Sequence, residues 1–310
     1  LKKMLMLLPV LVGISIIAFA LGIMSPGDPV DQVLNPNGNE SYTQAEYDAM
    51  AAKMGLDQSA VVQYFNWVDG LVHGDLGRSF FTNKSVMDQL VKRIPISLKL
   101  AGFSMLLTIL FGVGFGILMA VRKDRLLDHV LGTFSTAALS VPGFWIAIVL
   151  IFLFAEQWKL LPSSGISGGS GFILPAVTLA LPRIGVCARL TRSAILDEIG
   201  RQYMTVADAK GMSRRHAVVC HAFGNALIPI ITYLGNHMAG IIGGASIVET
   251  IFAIPGIGSY AIAGVQSKDY YVVQAYVLFS GCIYVLTNIL IDLIYIALDP
   301  KILAGEAVES

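Results

Sequence analysis

The chain has 310 residues, 55% hydrophobic and only 14% charged, with 21 basic side chains balancing 21 acidic ones. A soluble domain carries about a quarter charged residues, so this composition places the chain in a membrane. The formal net charge of zero excludes a general nucleic-acid or anionic-surface binder, which needs a basic excess. Cys187, Cys220 and Cys282 form no C-x-x-C pair and read as small apolar packing residues rather than as a disulfide or metal ligands.

A membrane span needs about 20 mostly apolar residues. The first candidate runs from Met4 to Met24, behind Lys2 and Lys3. Ala18-Phe19-Ala20 imitates a signal-peptidase site, but the apolar run continues past it, so an uncleaved span is expected. The next stretch, up to residue 99, is polar and patterned. Thr43 and Glu46 have capping-box spacing at the head of a helix that Gly55 closes. "AVVQYFNWVDGLV" is an apolar-faced helix ending near His73-Gly74, and "SVMDQLVKRI" is a third helix ending at Pro95. Together they predict a small helical insertion.

The second span is Leu100 to Val121 and the third Val130 to Ala155. The fourth, Phe172 to Ala188, is interrupted by Pro175, Pro182 and Arg183. The fifth is Ala226 to Val248 and the sixth Val272 to Leu298. Neighbouring helices can re-satisfy a backbone that proline disrupts. Gly112, Gly114, Gly116, Gly240, Gly243 and Gly244 let helices approach closely. "GISGGSGF" has no lysine and reads as a loop, and Glu249, at the outer end of the fifth span, is expected to be exposed at the interface.

Arg122, Lys123 and Arg125 come after the second span, and Arg189, Arg192, Arg201, Lys210, Arg214 and Arg215 after the fourth. Lysine and arginine accumulate on the cytoplasmic side. Both termini are therefore expected in the cytoplasm and the 25–99 insertion outside.

The segment "ADAKGMSRRHAVV" then lies on the cytoplasmic side, in a connection too long for a simple turn. It reads as two short helices joined at "KGMS", where Gly211 supplies an unusual backbone conformation and Ser213 caps the second helix. Ala207, Ala209, Met212, Ala217 and Val218 form an apolar strip that suits a groove on another protein.

The wider stretch "YMTVADAKGMSRRHAVVCHAFGNALIPIITYLG" resembles the coupling-loop signature of binding-protein-dependent ABC importer permeases, in the form of the dipeptide, oligopeptide and nickel group. "GDLGRSF", "RIPISLKLA", "SVPGFW", "LPAVTLAL", "ARLTRSAILD", "ETIFAIPGIG", "KDYYVVQ" and "LDP" fit that group's habits in order along the chain. Asp208 departs from the pattern, which commonly has Arg there.

The resemblance implies an all-α membrane protein with six transmembrane helices of the ABC importer permease type and a small extracytoplasmic insertion between spans one and two. The parts are 1–24 as the first helix, 25–99 as the helical cap, 100–298 as the core with coupling loop 197–219, and 299–310 as a cytoplasmic tail. Ala207, Asp208, Ala209, Lys210, Gly211, Met212, Ser213, Arg214 and Arg215 would form the coupling loop to the ATPase. The implied partners are a homologous second permease in a heterodimer, two ATPase subunits that bind ATP and Mg, an extracytoplasmic solute-binding protein and membrane lipid, in a bacterial inner membrane. No cofactor is expected in this chain. It has no G-x-x-x-x-G-K-[ST] phosphate loop, so ATP hydrolysis is expected on the partner subunits.

His237 lies mid-way along the fifth span, which lines the path in this fold. With Asn236 and Asp292 it is a candidate path residue, and the nickel branch's similar pattern makes it a candidate ligand of a nickel chelate. The expected cargo is thus a nickel chelate or a di- or oligopeptide. An ion-gradient-driven secondary transporter would call for internal repeats and coordinating carboxylates, and only Asp292 is available. An intramembrane enzyme would call for a motif such as H-E-x-x-H or G-x-S-x-G, and none is present.

Overall fold

The computed structural model describes residues 2–24, 27–35, 38–166, 168–204, 211–213, 216, 218 and 222–298. Among the described residues the regular structure is helical, and the chain divides into two compact units. One comprises Leu1–Ser97 with Pro255–Val285, and the other Leu98–Ile254 with Leu286–Ser310.

The first unit begins with α1, Lys2–Ile23, a helix of 22 residues. Three short helices come next. In α2, Pro29–Leu34, Asp28 caps the first turn and Pro29 occupies a position that needs no N–H. In α3, Gln44–Met54, the expected capping box is formed: the Thr43 hydroxyl accepts from the Glu46 N–H, and the Glu46 carboxylate accepts from the Thr43 N–H at 2.7 Å. Gly55 ends the helix at φ 69°, a left-handed conformation that costs glycine little. In α4, Ala60–Val72, Trp67 is buried, and Tyr64 and Trp67 pack around Phe19 of α1 at ring separations of 5.3 and 6.0 Å. A hydrogen bond of 2.8 Å between Ser15 and Tyr64 ties the same two helices.

The third helix of the insertion does not stop at Pro95. It continues as α5, Val86–Val121, a single helix of 36 residues, about 54 Å long against a hydrocarbon core of about 30 Å. An internal proline costs roughly 3 kcal/mol. Leu90 on one side of Pro95 and Leu100 and Ala101 on the other are buried, so packing along both arms offsets that cost.

The second unit is organised around α8, a helix of 31 residues over Gly169–Ile199. It packs against the second half of α5, against α6 (Leu126–Ser140), α7 (Gly143–Gln157) and α9 (Phe223–Gly244), and against the short α10 (Ser246–Ile251). Small residues permit this. A side chain at Gly116 would press into the Ala188 carbonyl at 2.7 Å, and one at Gly185 would press into the Ser135 carbonyl. With no hydrophobic drive between helices in lipid, such close approach supplies the attraction.

The expected third span is not one straight helix. α6 and α7 meet at 102°. Pro142 lacks an N–H and forces the preceding residue out of helical conformation, and Val141 is extended at φ −89° and ψ 128°. The fourth span is longer than expected, so Arg189 and Arg192 sit on a helix rather than in a loop. The fifth ends at Gly244 and hands over to α10. There Glu249 is fully buried, not exposed at an interface. Only the first part of "GISGGSGF" is a loop, with Gly165 and Gly168 at positive φ. Gly169–Phe172 already form a helical turn at the head of α8, because the expected loop ends sooner than its glycines suggest.

The remaining helices are α11, Ile257–Gln266, and α12, Tyr270–Leu298. Val86–Val121, Gly169–Ile199 and Tyr270–Tyr295 are long and apolar enough to cross a membrane, and the bent pair makes a fourth if its arms cross together. Pro9–Ile23 is apolar but shorter.

Gly185→Ala should destabilise the fold by about 1–3 kcal/mol through overpacking. Gly114→Ala, where a side chain meets open space, should not. Thermal melts of the two purified variants check this, and equal melting temperatures would contradict the close contact.

Candidate coupling segment and translocation path

The connection between α8 and α9 is anchored at both stems. At the end of α8, Glu198 pairs with Arg201 at 3.0 Å and accepts the Tyr203 hydroxyl at 2.9 Å. Asn225, on the first turn of α9, donates to the same Tyr203 oxygen at 3.0 Å. One tyrosine thus bridges the outgoing and returning helices. Burial and the neighbouring Glu198 carboxylate push the Tyr203 phenol above its ordinary pKa, while the Asn225 amide opposes them, so the hydroxyl stays a donor at neutral pH. Beneath it, Met204, Val218 and Ala222 join Ile195, Ala226 and Ile230 in a buried apolar cluster.

Of the predicted coupling residues, Gly211, Met212 and Ser213 are described; Ala207, Asp208, Ala209, Lys210, Arg214 and Arg215 lie outside the described residues. Gly211 adopts φ 77°, the left-handed conformation expected of it, with open space where a side chain would go. The Ser213 hydroxyl accepts from the His216 N–H at 3.4 Å, a long capping contact. Met212 and Val218 correct the expected exposed strip, because both pack into the chain's own apolar cluster.

On α9, His237 is buried, 4% exposed, and its ring lies 6.0 Å from that of Tyr233, nearly parallel. The Tyr233 hydroxyl donates to the Arg183 carbonyl at 3.2 Å, and the Arg183 charge acts on the imidazole. Among the described residues neither ring nitrogen of His237 has a hydrogen-bond partner. Asn236, the next residue, is exposed. Asp292 is half-buried on α12, beside Ile291, which packs on Gly235 of α9. The hydroxyls of Thr232 and Tyr295 join the same two helices. Among the described residues no three His, Cys, Asp or Glu side chains come together as a metal site.

One feature of this unit is not apparent from the sequence. Arg192 of α8 grips Asp128 of α6 through two hydrogen bonds of 2.7 Å, and the Asp124 N–H adds a third at 2.9 Å. Asp128 is buried and Arg192 largely so. The partners are 64 positions apart, and no spacing rule links them.

These features define a helical membrane protein, and comparison with known proteins gives its class, a transport subunit. Residues 112–304 match the family described as binding-protein-dependent transport system inner membrane component, and residues 1–101 match its N-terminal counterpart. The chain belongs to this family.

The chain is 33% identical over 325 residues to the probable D,D-dipeptide transport system permease protein DdpB of Escherichia coli, covering 96% of this chain and 94% of that one. It is 32% identical over 333 residues to the dipeptide transport system permease protein DppB of the same organism, covering 97% of both. Among solved structures, a chain of the methionine ABC transporter MetNI in an inward-facing conformation superposes with a TM-score of 0.59 at 17% identity, covering 69% of this chain and 97% of that one. That likeness supports the fold of the helical core.

Truncating one partner of a buried ion pair strands the other charge, a loss on the order of 3 kcal/mol. Asp128→Ala should therefore destabilise the protein strongly. The double variant Asp128→Ala/Arg192→Leu should lose less than the sum of the single changes. A double-mutant cycle of thermal melts checks this, and strict additivity would contradict the pairing.

Proposed function

We propose that this chain is the membrane-spanning subunit of an ATP-driven importer that moves di- or oligopeptides from an extracytoplasmic binding protein into the cytoplasm by alternating access. It works with a homologous second permease and two ATPase subunits, which bind ATP and Mg. Its termini lie in the cytoplasm of a bacterial cell, and the 25–99 insertion faces outward. The observation that carries the reading is its similarity, over nearly its whole length, to peptide permeases.

The geometry supports a mechanical role for the 197–219 segment. A lever must be stiff where it joins the helices it moves, and the Glu198–Tyr203–Asn225 bridge provides that at the stems. Its tip must be shaped to seat in a partner, and Gly211 turns the backbone there without a side chain in the way. ATP-driven movement of the ATPases would reach α8 and α9 through this element, the kind of two-state coupling that allosteric transmission requires.

A nickel chelate is the second reading, favoured by the two ring nitrogens of His237 that find no partner among the described residues. Against it stands Arg183, whose positive charge on the imidazole disfavours a dication there. A positive charge acting on that position suits an anionic group instead, such as a peptide carboxylate.

The test is uptake by the reconstituted complex, with its ATPases and binding protein, of labelled dipeptide against labelled nickel–histidine. Dipeptide uptake is expected. Nickel uptake alone, weakened by His237→Ala, would overturn the peptide reading. For the lever, Gly211→Glu should abolish co-purification with the ATPase subunits while leaving the protein in the membrane; undiminished association would refute the coupling assignment.

A further inference from the structure

One face of α6 is left open. His129, Gly132, Thr133, Thr136, Ala137 and Ser140 recur at three- and four-residue steps, which puts them on one side of the helix. With Met119 of α5 and Arg189 and Arg192 of α8 they line a cavity of about 710 Å³ within the second unit. No described residue of the coupling segment or of α9 lines it.

The charge of this groove gathers at one end. The Asp128 carboxylate also lines it, but Arg192 engages both oxygens, and one of them accepts the Asp124 N–H as well. That pair is neutral overall. It uses Nε and one terminal nitrogen of Arg192, so the other terminal nitrogen keeps its donors. Arg189, one turn away on α8, is exposed and forms no ion pair or hydrogen bond among the described residues. The described lining therefore carries an uncancelled guanidinium and no free carboxylate. Arg122, Lys123 and Arg125 are exposed in the turn just before α6, at the same end, with Asp124 among them.

Toward the other end the polarity fades. The Thr136 hydroxyl donates back to the Gly132 carbonyl at 3.1 Å and the Ser140 hydroxyl to the Thr136 carbonyl at 2.9 Å, which turns both donors onto the helix's own backbone. Ala137 is exposed between them. Leu126, Val130 and Phe134 follow at four-residue steps, exposed on the flank opposite Asp128 and Ser135, which α8 covers. From His129 to Ser140 the track is about 16 Å long at 1.5 Å per residue. That is close to half of a hydrocarbon core of about 30 Å.

This gradient selects an amphiphile. A free anion would use the arginines and leave the apolar track empty. A peptide, or a zwitterionic headgroup, brings an ammonium that needs a carboxylate, and Asp128 is already engaged. A phosphodiester on the arginines, with an acyl chain continuing along the track, uses both ends.

We propose that this groove binds an anionic phospholipid, its phosphate held by Arg189 and the spare terminal nitrogen of Arg192 and one acyl chain lying along Gly132 to Ser140. In the orientation proposed above, the lipid belongs to the cytoplasmic leaflet, where anionic headgroups meet basic pockets between helices. The assignment is independent of which solute is carried.

The test uses the transporter complex with its partner subunits, purified in detergent, and reads bound lipid by native mass spectrometry. The probes are phosphatidylglycerol and phosphatidylcholine with the same acyl chains, with inorganic phosphate and alanyl-alanine as competitors. Phosphatidylglycerol is expected to bind about fivefold more tightly than phosphatidylcholine. Arg189→Gln should remove that preference, whereas Lys123→Gln, in the exposed turn, should keep most of it. Ala137→Phe fills the track without changing the charge and should weaken phosphatidylglycerol severalfold. Arg189 and Ala137 are both exposed, so neither change disturbs a buried contact.

Equal binding of the two lipids would overturn the proposal, as would a preference untouched by Arg189→Gln or binding untouched by Ala137→Phe. Equal losses in Arg189→Gln and Lys123→Gln would reduce the effect to general surface attraction and overturn the site. Displacement of the lipid by inorganic phosphate would give the arginines to a free anion, and displacement by alanyl-alanine would put the groove on the solute path. Either result would overturn the lipid assignment.

Discussion

The controlling constraint is that lipid offers no hydrogen bonds, so every backbone N–H and C=O inside it must find a partner within the protein. Helices satisfy that rule but leave nothing polar to hold them together, and the second unit answers with close contact. α8 is approached by α5 and α6 at Gly116 and Gly185, where no side chain intervenes. Once backbones are this close, the few polar groups left in the interface have to be matched. The Asp128–Arg192 pair does this with three short hydrogen bonds to one carboxylate.

The same constraint explains why the connection between α8 and α9 stands out. It is where the chain can afford charge, a left-handed glycine and a reversal of direction. Its stems are nevertheless held, by one shared tyrosine hydroxyl and by an apolar cluster that draws in Met204, Met212 and Val218. In the proposed mechanism this combination lets a push at the tip move two helices together. A loose connection would absorb the motion instead.

Local chemistry was legible and distant pairing was not. The capping box at Thr43 and Glu46, the glycine stop at Gly55 and the left-handed Gly211 are decided by residues a few positions apart, and each was readable as written. Pro95 and Pro142 carry the same local signal with opposite outcomes. Pro95 is held in a helix by buried flanks, while Pro142 sits after an extended valine and turns the chain by 102°. Packing partners decide between those outcomes, and a single sequence does not name them. The burial of Glu249 and Asp128 was missed for the same reason, since nothing local marks either carboxylate as one that neighbouring helices cover. The apolar strip through Met212 was legible as apolar, but the surface covering it turned out to belong to the same chain.

The central claim is that the Gly211 tip is a cytoplasmic element that seats in an ATPase subunit. Ser213 is exposed there and can carry a reporter. A Ser213→Cys variant, in a background lacking Cys187, Cys220 and Cys282, would be treated with a membrane-impermeant maleimide. The account predicts labelling in inverted vesicles stripped of ATPase, none in intact cells, and protection when the ATPase subunits are added back. Labelling from outside intact cells, or labelling indifferent to the ATPases, would contradict it.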